Sequence, residues 1–515
     1  MLIPAIYAPG ALASDEGVAE QIRFVDRVSV LGPVMLEIEN VQDEDHVKAL
    51  MSKVVAKTHA NNLRPCYLEG LTIDQDGLAT TLLDSGVHGV FFKYPTLLGL
   101  DTTGGNAMER DVFKKVLETF PRARVGLVVT IPSELTAAAV SDSSSTLPSF
   151  LDGIVAAHRT CAVHFYFQFQ SQSPGQKVLD EVVAVSKALV EKTTSANDNI
   201  QVYIGLPREF YGSSKTAAKV ASAMSDNSIH AVFKASLGGA RGVKGKDDAA
   251  PASPTVFRGG DASNADEGID ILSAFISGIR SDRADGLFTT VVCDQYGVCL
   301  GLVYSNDVSI CAAVFEKKGI YWSRSRGGLW RKGDSSGMHQ ELLSVDLDCD
   351  GDALRFTVIQ HGTPASFCHL MTRTCWGDVH GFQHLQSILQ TRLVTALPGS
   401  YTQRLFNDED LLMKKLVEEA QELAEAKTHD EVAGEAADLM YFLMTRCVAA
   451  GVSLKDIENK LDARSLKVTR RQGNAKDYRT EAAAKLVPGS EKLQEAAKSK
   501  SGLISGGGLV PPAPP

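Results

Sequence analysis

In the first half of the chain, short apolar, β-branched or aromatic runs alternate with longer stretches of helical periodicity. The strand-like runs are Val34–Ile38, Gly89–Phe92, Val125–Thr130, Ala162–Gln168, Gln201–Gly205 and Ala231–Ala235. The helix-like stretches are Asp43–His59, Asn106–Glu118, Gly175–Glu191 and Ser214–Met224. Strands separated by crossover helices favour a mostly parallel sheet. We therefore predict an N-terminal α/β domain over residues 1–245, with a barrel as one form of it, and find no catalytic motif that assigns its role.

Polar and glycine-rich segments interrupt and follow this region. Ser141–Thr146 is predicted to be a polar loop. The glycine-rich segment Ser236–Gly245 would suit a phosphate if a helix followed it, but a stretch rich in Pro, Ser, Gly and Asp follows instead. That composition is typical of a loop, so we interpret residues 246–267 as a linker.

The composition narrows the functional classes. A chain of 515 residues has room for about three domains, and 44% hydrophobic with 22% charged residues is typical of a globular protein. The net charge of −10 argues against nucleic acid as the main partner. No apolar run reaches the roughly 18 residues of a membrane span, and the first residues lack the basic start of an export signal. Nine cysteines without a disulfide-scaffold spacing favour the reducing cytoplasm.

The middle of the chain is predicted to be a β-rich α+β domain over residues 268–390. It would begin with a short helix at Gly268–Ile279. Two strands, Thr289–Asp294 and Val298–Tyr304, flank a turn at residues 295–297 and predict a hairpin. A helix is predicted over Asn306–Glu316.

A basic segment, Ile320–Gly337, combines arginine, hydroxyl and tryptophan side chains. Arginine binds phosphate in a bidentate manner, hydroxyls add hydrogen bonds, and tryptophan stacks on a base or packs in a core. The candidate substrate-binding residues are Trp322, Ser323, Arg324, Ser325, Arg326, Arg331, Lys332, Ser335 and Ser336. Taken alone, the segment is equally typical of an exposed basic hairpin.

The next stretch, Asp346–Cys375, concentrates carboxylates, thiols and histidines. If residues 348–352 form a strand, Asp348, Asp350 and Asp352 share one face, where Mg²⁺ would relieve their repulsion, and Cys349 lies on the other. The alternatives are that the aspartates form only a solvated acidic face and that the cysteines of this stretch are buried small hydrophobes.

Three cysteines fall within this stretch, Cys349, Cys368 and Cys375, and a soft set of thiolates suits zinc. Three protein ligands rather than four leave a position for water, whose pKa zinc lowers to about 7. His369 could then act as a general base or proton shuttle. The pattern favours a hydrolytic zinc site.

The last third has long amphipathic helical patterns, Asp408–Lys427 and Asp430–Ala449. Glu419 lies within the apolar stripe of the first helix and Glu435 within that of the second, and acids aimed at a core are costly unless they are paired or bind metal. Glu422 and Asp438 flank these stripes. The pattern predicts a Mg²⁺ site of four carboxylates that holds a triphosphate and activates water, with solvated helix edges as the alternative.

The segments YWSRSRGGLWRKGDSSG, DCDGDAL and CH-x5-C together resemble phosphoribosyl-AMP cyclohydrolase, over about residues 285–380. The resemblance implies that water adds across the N1–C6 bond of the adenine ring of phosphoribosyl-AMP. It implies zinc on Cys349, Cys368 and Cys375, supplied by both subunits of a homodimer. It also implies Mg²⁺ on Asp348, Asp350 and Asp352, and it makes His369 the acid/base residue. The chain departs from the family pattern at DSSGMH, which shifts His339 by one place, and at Leu370 and Met371.

The segments SYTQRLFNDEDLLMKKLVEEAQELAEAK, EAADLMYFL and GVSLKDIENKL are similar to phosphoribosyl-ATP pyrophosphohydrolase, over about residues 398–470. This all-α family carries E-x-x-E and E-x-x-D motifs. The resemblance implies Mg²⁺ on Glu419, Glu422, Glu435 and Asp438, with the first two in the catalytic machinery. It implies cleavage of phosphoribosyl-ATP to phosphoribosyl-AMP and pyrophosphate.

The order of the three regions resembles the front part of the fungal multifunctional histidine-biosynthesis proteins. RADGLFTTVVCDQYGVCLGLVYS and SLKVTRRQGNAKD fit that form, whereas a histidinol dehydrogenase domain is not expected, and residues 471–515 are predicted to be a flexible tail. The expected protein is a cytoplasmic bifunctional hydrolase acting on small molecules. The alternatives are a general nucleotide pyrophosphohydrolase with an inactive zinc domain, and a non-catalytic, zinc-stabilised assembly scaffold.

Overall fold

The computed structural model describes most of the chain, with gaps in the first half and at the end. The described residues are 2–9, 15–39, 41, 43–94, 107–135, 147–171, 173–195, 200–207, 209, 229–237, 257–258 and 269–469. They divide into two compact units, one with residues up to 378 together with 462–469, and the other with residues 379–461. The predicted domain bounds differ from this division and remain a prediction.

The N-terminal region is a closed barrel of parallel strands. The strands are β1 (Leu2–Pro9), β2 (Val34–Glu39), β3 (Cys66–Leu71), β4 (Gly89–Lys93), β5 (Val125–Ile131), β6 (His164–Phe169), β7 (Gln201–Gly205) and β8 (Ile229–Leu237). Each strand pairs in parallel with the next, and β8 pairs with β1 to close the ring. The barrel form of the predicted α/β domain is therefore confirmed.

Helices follow these strands along the described parts of the chain. They are Asp15–Val28, Glu44–Ala60, Asp76–Asp84, Ala107–Leu117, Leu147–His158 and Gln176–Ser195. The second begins with Asp43, whose carboxylate accepts hydrogen bonds from the backbone N–H groups of Asp45 and His46. Apolar helix faces pack on the barrel exterior, as in other parallel barrels.

The sequence prediction overlooked two of the barrel strands, β1 and β3. Pro4 and Pro9 interrupt the apolar pattern of β1, and Glu69 with Gly70 interrupts that of β3. Parallel pairing in a closed ring overrides this weak local preference. The predicted loop Ser141–Thr146 and helix Ser214–Met224 lie outside the described residues, as do most of Ser236–Gly245 and the predicted tail.

After the barrel come short elements and then a second sheet. β9 (Phe257–Arg258) pairs with the end of β8 inside the segment predicted as a linker. β10 (Ile269–Asp270) also pairs with β8 and leads into the helix Ile271–Ser277, which is shorter than predicted.

The second sheet has the order β12-β11-β16-β15. Its strands are β11 (Phe288–Asp294), β12 (Cys299–Ser305), β15 (Gln340–Leu347) and β16 (Ala353–Gln360). The predicted hairpin is confirmed as β11 and β12, and the predicted helix is confirmed as Asp307–Glu316, capped by Asn306. The basic segment forms a separate hairpin of β13 (Ile320–Ser323) and β14 (Gly328–Arg331). This β-rich region matches the predicted α+β domain.

Polar contacts join the barrel to the second sheet within the first unit. The Arg64 guanidinium pairs with Asp346 on β15 at 2.6 Å and donates to the carbonyls of Val30 and Val345. Lys317 donates to the carboxylate of Asp26 at 2.9 Å. These contacts are half-buried, so the two parts support each other.

The second unit is helical, as predicted. Its helices are Phe382–Thr395, Tyr401–Asn407, Glu409–Glu425, His429–Ala449 and, continuing into the first unit, Leu454–Ser465. Two small cores hold it together, one around Leu389, Met444 and Val448 and one around Leu405, Leu412 and Phe442. Within the part of the chain that the structure describes, no single helix has the length and apolar content of a membrane span, although His429–Ala449 and Leu454–Ser465, a bent pair, meet that test in combination.

Candidate metal and substrate sites

The three aspartates of the DCDGD segment meet in a turn rather than on a strand. β15 ends at Leu347 and β16 begins at Ala353, so the predicted strand over residues 348–352 is wrong. One carboxylate oxygen of Asp348 accepts hydrogen bonds at 3.0, 3.0 and 3.1 Å from the backbone N–H groups of Gly351, Asp352 and Ala353. Gly351 takes the left-handed conformation at φ 80° that this turn requires. An extended strand would lose these bonds.

The turn nevertheless brings the three carboxylates together. Ligand atoms of Asp348, Asp350 and Asp352 lie within 4.8 Å of one another. The neighbouring carboxyls of Asp348 and then Asp350 raise the pKa of Asp352. Such crowded oxygen ligands, on two exposed residues and one half-buried residue, fit Mg²⁺.

Two of the three thiols, those of Cys368 and Cys375, are adjacent. Hydrogen bonds, foremost from the backbone N–H of Leu370, lower the pKa of the Cys368 thiol, whereas burial and the Cys368 charge raise that of Cys375. Among the described residues, the three groups of potential ligands within 4.8 Å contain no cysteine, and Cys349 lies in the exposed aspartate turn. A thiol with a lowered pKa next to a second thiol fits a zinc site. One chain supplies two adjacent thiols to such a site.

β12 supports this thiol pair. The backbone N–H of Cys375 donates to the Leu300 carbonyl at 2.8 Å, and Gly301 leaves space for Cys375 and for the ring of Phe367. The ammonium of Lys332 lies 5.3 Å from the centre of the Phe367 ring. Burial lowers the Lys332 pKa, and the nearby thiolates of Cys375 and Cys368 oppose that change. Lys332, predicted to bind phosphate, therefore lies beside the thiols.

The other predicted substrate residues lie on the β13–β14 hairpin and the turn that follows it. The connecting turn exposes Arg324, Ser325 and Arg326, and the Arg324 guanidinium lies 4.1 Å from the centre of the Tyr304 ring. Arg331 instead pairs with Glu316 at 3.0 Å. The half-buried Trp322 and Ser323 are on β13, and the exposed Ser335 and Ser336 follow β14.

The histidines of this region differ in their surroundings. His369 is exposed, and its Nδ1 lies 3.8 Å from the Cys368 sulfur. His339, whose role the shifted motif left open, stacks on His361 with ring centres 4.6 Å apart.

The helical unit brings together the acids predicted there. Ligand atoms of Glu419, Glu435 and Asp438 lie within 4.8 Å of one another, and Glu419 is 4% exposed. Burial and the charges of Glu419 and Glu435 raise the pKa of Glu422, which places Glu422 in the same electrostatic cluster. Four carboxylates on a helix pair fit Mg²⁺.

Sequence reasoning overlooked two members of this cluster. Lys415 pairs with Glu419 at 2.7 Å and with Glu418 at 3.0 Å, and these two acids raise the Lys415 pKa. Glu418 also lies within ligand distance of Glu419 and Glu422. The i,i+4 spacing of Lys415 and Glu419 in the sequence could have indicated their ion pair.

Two family models match this part of the chain. Phosphoribosyl-AMP cyclohydrolase matches residues 301–377, which contain the thiols and the aspartate turn. Phosphoribosyl-ATP pyrophosphohydrolase matches residues 382–465, which contain the helical carboxylates. The chain therefore carries matches to two hydrolase families, one directly after the other.

Curated relatives named as histidine-biosynthesis proteins are similar to parts of this chain. The chain is 35% identical to the histidine biosynthesis bifunctional protein HisIE of Thermus thermophilus, over 36% of this chain and 92% of that protein. It is 55% identical to the histidine biosynthesis trifunctional protein of Kluyveromyces lactis, over 40% of this chain and 26% of that protein. It is 51% identical to the histidine biosynthesis bifunctional protein his7 of Schizosaccharomyces pombe, over 38% of this chain and 46% of that protein.

The chain belongs to the HisIE family of bifunctional histidine-biosynthesis proteins. It spans about a quarter of the length of the trifunctional relatives it matches, 26% in Kluyveromyces lactis and in Saccharomyces cerevisiae. These matches cover 40% of the chain.

Proposed function

We propose that this chain catalyses two successive hydrolyses of histidine biosynthesis. The helical unit would cleave phosphoribosyl-ATP to phosphoribosyl-AMP and pyrophosphate, and the β-rich region would open the adenine ring of phosphoribosyl-AMP. The observation that carries the proposal is the meeting of Glu419, Glu435 and Asp438 within 4.8 Å, in a chain that also carries an adjacent thiol pair. The product of the first reaction is the substrate of the second.

In the helical site, Glu419, Glu422, Glu435 and Asp438 would hold Mg²⁺. When bound, Mg²⁺ neutralises phosphate charge and lowers the pKa of water. Lys415 holds the Glu419 carboxylate through its ion pair at 2.7 Å. Because Glu419 is buried, its orientation is fixed before any substrate arrives.

In the ring-opening site, Cys368 and Cys375 would hold zinc with Cys349 as the third ligand, and Asp348, Asp350 and Asp352 would hold Mg²⁺. When bound, zinc supplies a water of low pKa for attack on the ring. His369, exposed beside Cys368, would transfer the proton.

We propose a homodimer, because one chain does not group Cys349 with the other two thiols among the described residues. In this arrangement Cys349 of a second copy would complete the ligand set, as the resemblance implies. The protein would act in the cytoplasm, where its free thiols stay reduced.

The basic hairpin would bind the substrate phosphate. Arg324 and Arg326 are exposed in its turn, so a phosphate would reach them without any rearrangement of that turn. Arg331 already pairs with Glu316, so its contact with phosphate would require that pair to open. Trp322, half-buried on β13, would support the ring, and the hydroxyls of Ser323 and Ser325 would add hydrogen bonds.

Two substitutions test whether the activities are separate. Cys368→Ser should abolish ring opening and leave pyrophosphate release intact, and Glu419→Gln should do the reverse. Matched controls are Cys447→Ser, a cysteine of the helical unit, and Glu425→Gln on the exposed face of the same helix as Glu419. Normal pyrophosphate release by Glu419→Gln, or normal ring opening by Cys368→Ser, would contradict the assignment.

A further inference from the structure

The barrel interior changes from an apolar layer to a polar layer near the carboxyl ends of its strands. The apolar layer consists of Ile3, Ala5, Met35, Phe91, Val128, Tyr166, Tyr203 and Val232, with Tyr67 packed against it. Because side chains alternate along a strand, the residue two positions further on faces the interior as well. These next residues include Glu37, Glu69, Lys93, Thr130, Gln168 and Lys234.

Glu69 is the buried carboxyl of this polar layer. It is 4% exposed, and the Gln168 amide donates to its two carboxylate oxygens at 3.3 and 3.0 Å. Glu37 on β2 is directly opposite Glu69 on β3 in the strand register. Burial, followed by the charge of Glu37, raises the pKa of Glu69 to about 8, and Lys93 opposes this.

A β-bulge follows Glu69 at once. Gly70 lies between the register positions of Glu69 and Leu71, with φ 108°. A Cβ atom at this position would lie 2.0 Å from the Ile38 carbonyl oxygen, so only glycine fits. Bulges of this kind re-aim side chains and are frequent beside active sites.

Packing alone does not account for the layer. Apolar branched side chains normally fill a parallel barrel, and they would avoid the desolvation of a carboxyl facing a second carboxyl. A buried carboxyl that faces a second carboxyl disfavours folding locally. Unfavourable groups of this kind are expected at functional sites. In parallel barrels, functional sites lie at the carboxyl ends of the strands, where this layer is.

We propose that the polar layer at the carboxyl end of the barrel is a small-molecule site, distinct from the two hydrolase sites, for a ligand that carries both N–H donors and an anionic group. The layer is not merely acidic, since it combines carboxylate, amide, hydroxyl and ammonium groups. Glu37, Glu69 and the Gln168 carbonyl oxygen would accept from the N–H donors. Lys93 and Lys234, exposed on β4 and β8 across the ring, would bind the anionic group.

Glucosamine 6-phosphate is a suitable probe, because it joins an amine to a phosphate on a small scaffold. Calorimetric titration of the full chain with this compound is compared with glucose 6-phosphate, which lacks the amine, and with glucosamine, which lacks the phosphate. The test variants are Glu69→Gln and Lys93→Met. Lys53→Met, on the exposed face of the helix Glu44–Ala60, is the matched control.

We expect the wild type and Lys53→Met to bind glucosamine 6-phosphate equally, and each barrel variant to bind it roughly tenfold more weakly or worse. Both single-function compounds should bind more weakly than the probe. Glu69→Gln keeps the side-chain volume and removes the carboxyl crowded by Glu37, so its melting temperature should not fall, which separates lost binding from unfolding. No binding of the probe by the wild type, or equal binding by the barrel variants, overturns the proposal.

Discussion

Adding one methyl group at Gly301 is a direct test of how the thiol pair is held. Gly301 is buried on β12, and a Cβ there would lie 2.2 Å from Phe367 Cε1, 2.9 Å from its Cδ1 and 3.1 Å from the Cys375 sulfur. Phe367 is 6% exposed, so its ring is packed against neighbours on nearly all sides. In Gly301→Ala the ring and the Cys375 side chain must therefore move, and the segment through Cys368 moves with them.

Overpacking a core by a methyl group costs about 1–3 kcal/mol of unfolding free energy. We expect Gly301→Ala to lose stability in that range by denaturant unfolding, to retain less zinc after dialysis, and to open the ring of phosphoribosyl-AMP more slowly. Pyrophosphate release from phosphoribosyl-ATP should be unchanged, because the helical carboxylates lie in the other unit.

The matched control is Gly434→Ala. A Cβ at Gly434 meets nothing within 4 Å, and the residue lies inside the helix His429–Ala449. Alanine should stabilise this helix by up to about 1 kcal/mol. If Gly301→Ala kept the stability, zinc content and ring-opening rate of the wild type, the idea that packing on β12 holds the thiol pair in place would be refuted.

Three further predictions concern the charged groups. Lys415→Met removes the partner of Glu419 at 2.7 Å, so the rate of pyrophosphate release should fall while ring opening is unchanged. Arg64→Ala removes the 2.6 Å ion pair with Asp346, and urea unfolding should show a loss of about 2 kcal/mol together with slower ring opening. The pKa of Glu69 rises on folding from 4.5 to about 8, so its contribution to stability falls as pH rises through this window, and Glu69→Gln should gain roughly 4 kcal/mol on the wild type between pH 4.5 and 8.

Each of these predictions has its own control and contradicting result. Lys414→Met, exposed next to Lys415, should release pyrophosphate at the wild-type rate, and equal losses in both variants would remove the positioning role. Arg23→Ala on an exposed helix face should unfold like the wild type, and an unchanged Arg64→Ala would mean that the barrel contact is not needed. A pH-independent difference between Glu69→Gln and the wild type would contradict the raised pKa.

The helical half of the molecule was the most predictable from sequence. Its apolar periodicity directly indicates which side chains face the core, and the burial of Glu419 follows from that periodicity. The aspartate turn was not predictable from alternation, because the bonds that Asp348 accepts from the following backbone N–H groups decide the local structure. In a helix the direction of the side chains repeats regularly along the sequence, whereas in this turn it does not.

In the barrel, the sequence pattern failed to predict a strand where polar and glycine residues interrupt it. β3 was overlooked because Glu69 and Gly70 interrupt its apolar run, and the bulge at Gly70 appears only in the pairing of β3 with β4. The pairing of Arg64 with Asp346 joins residues far apart in the chain, which no local pattern encodes. Tertiary contacts outweigh local preference at such places.

The most direct test of the account is to supply phosphoribosyl-ATP to the purified full chain and to follow pyrophosphate and the ring-opened product together. We predict that pyrophosphate appears first and that the ring-opened product follows at the expense of phosphoribosyl-AMP. Pyrophosphate release from ordinary nucleoside triphosphates at a similar rate, without any ring-opened product, would contradict the account in favour of a general pyrophosphohydrolase. Zinc binding with turnover of neither substrate would contradict it in favour of an assembly scaffold.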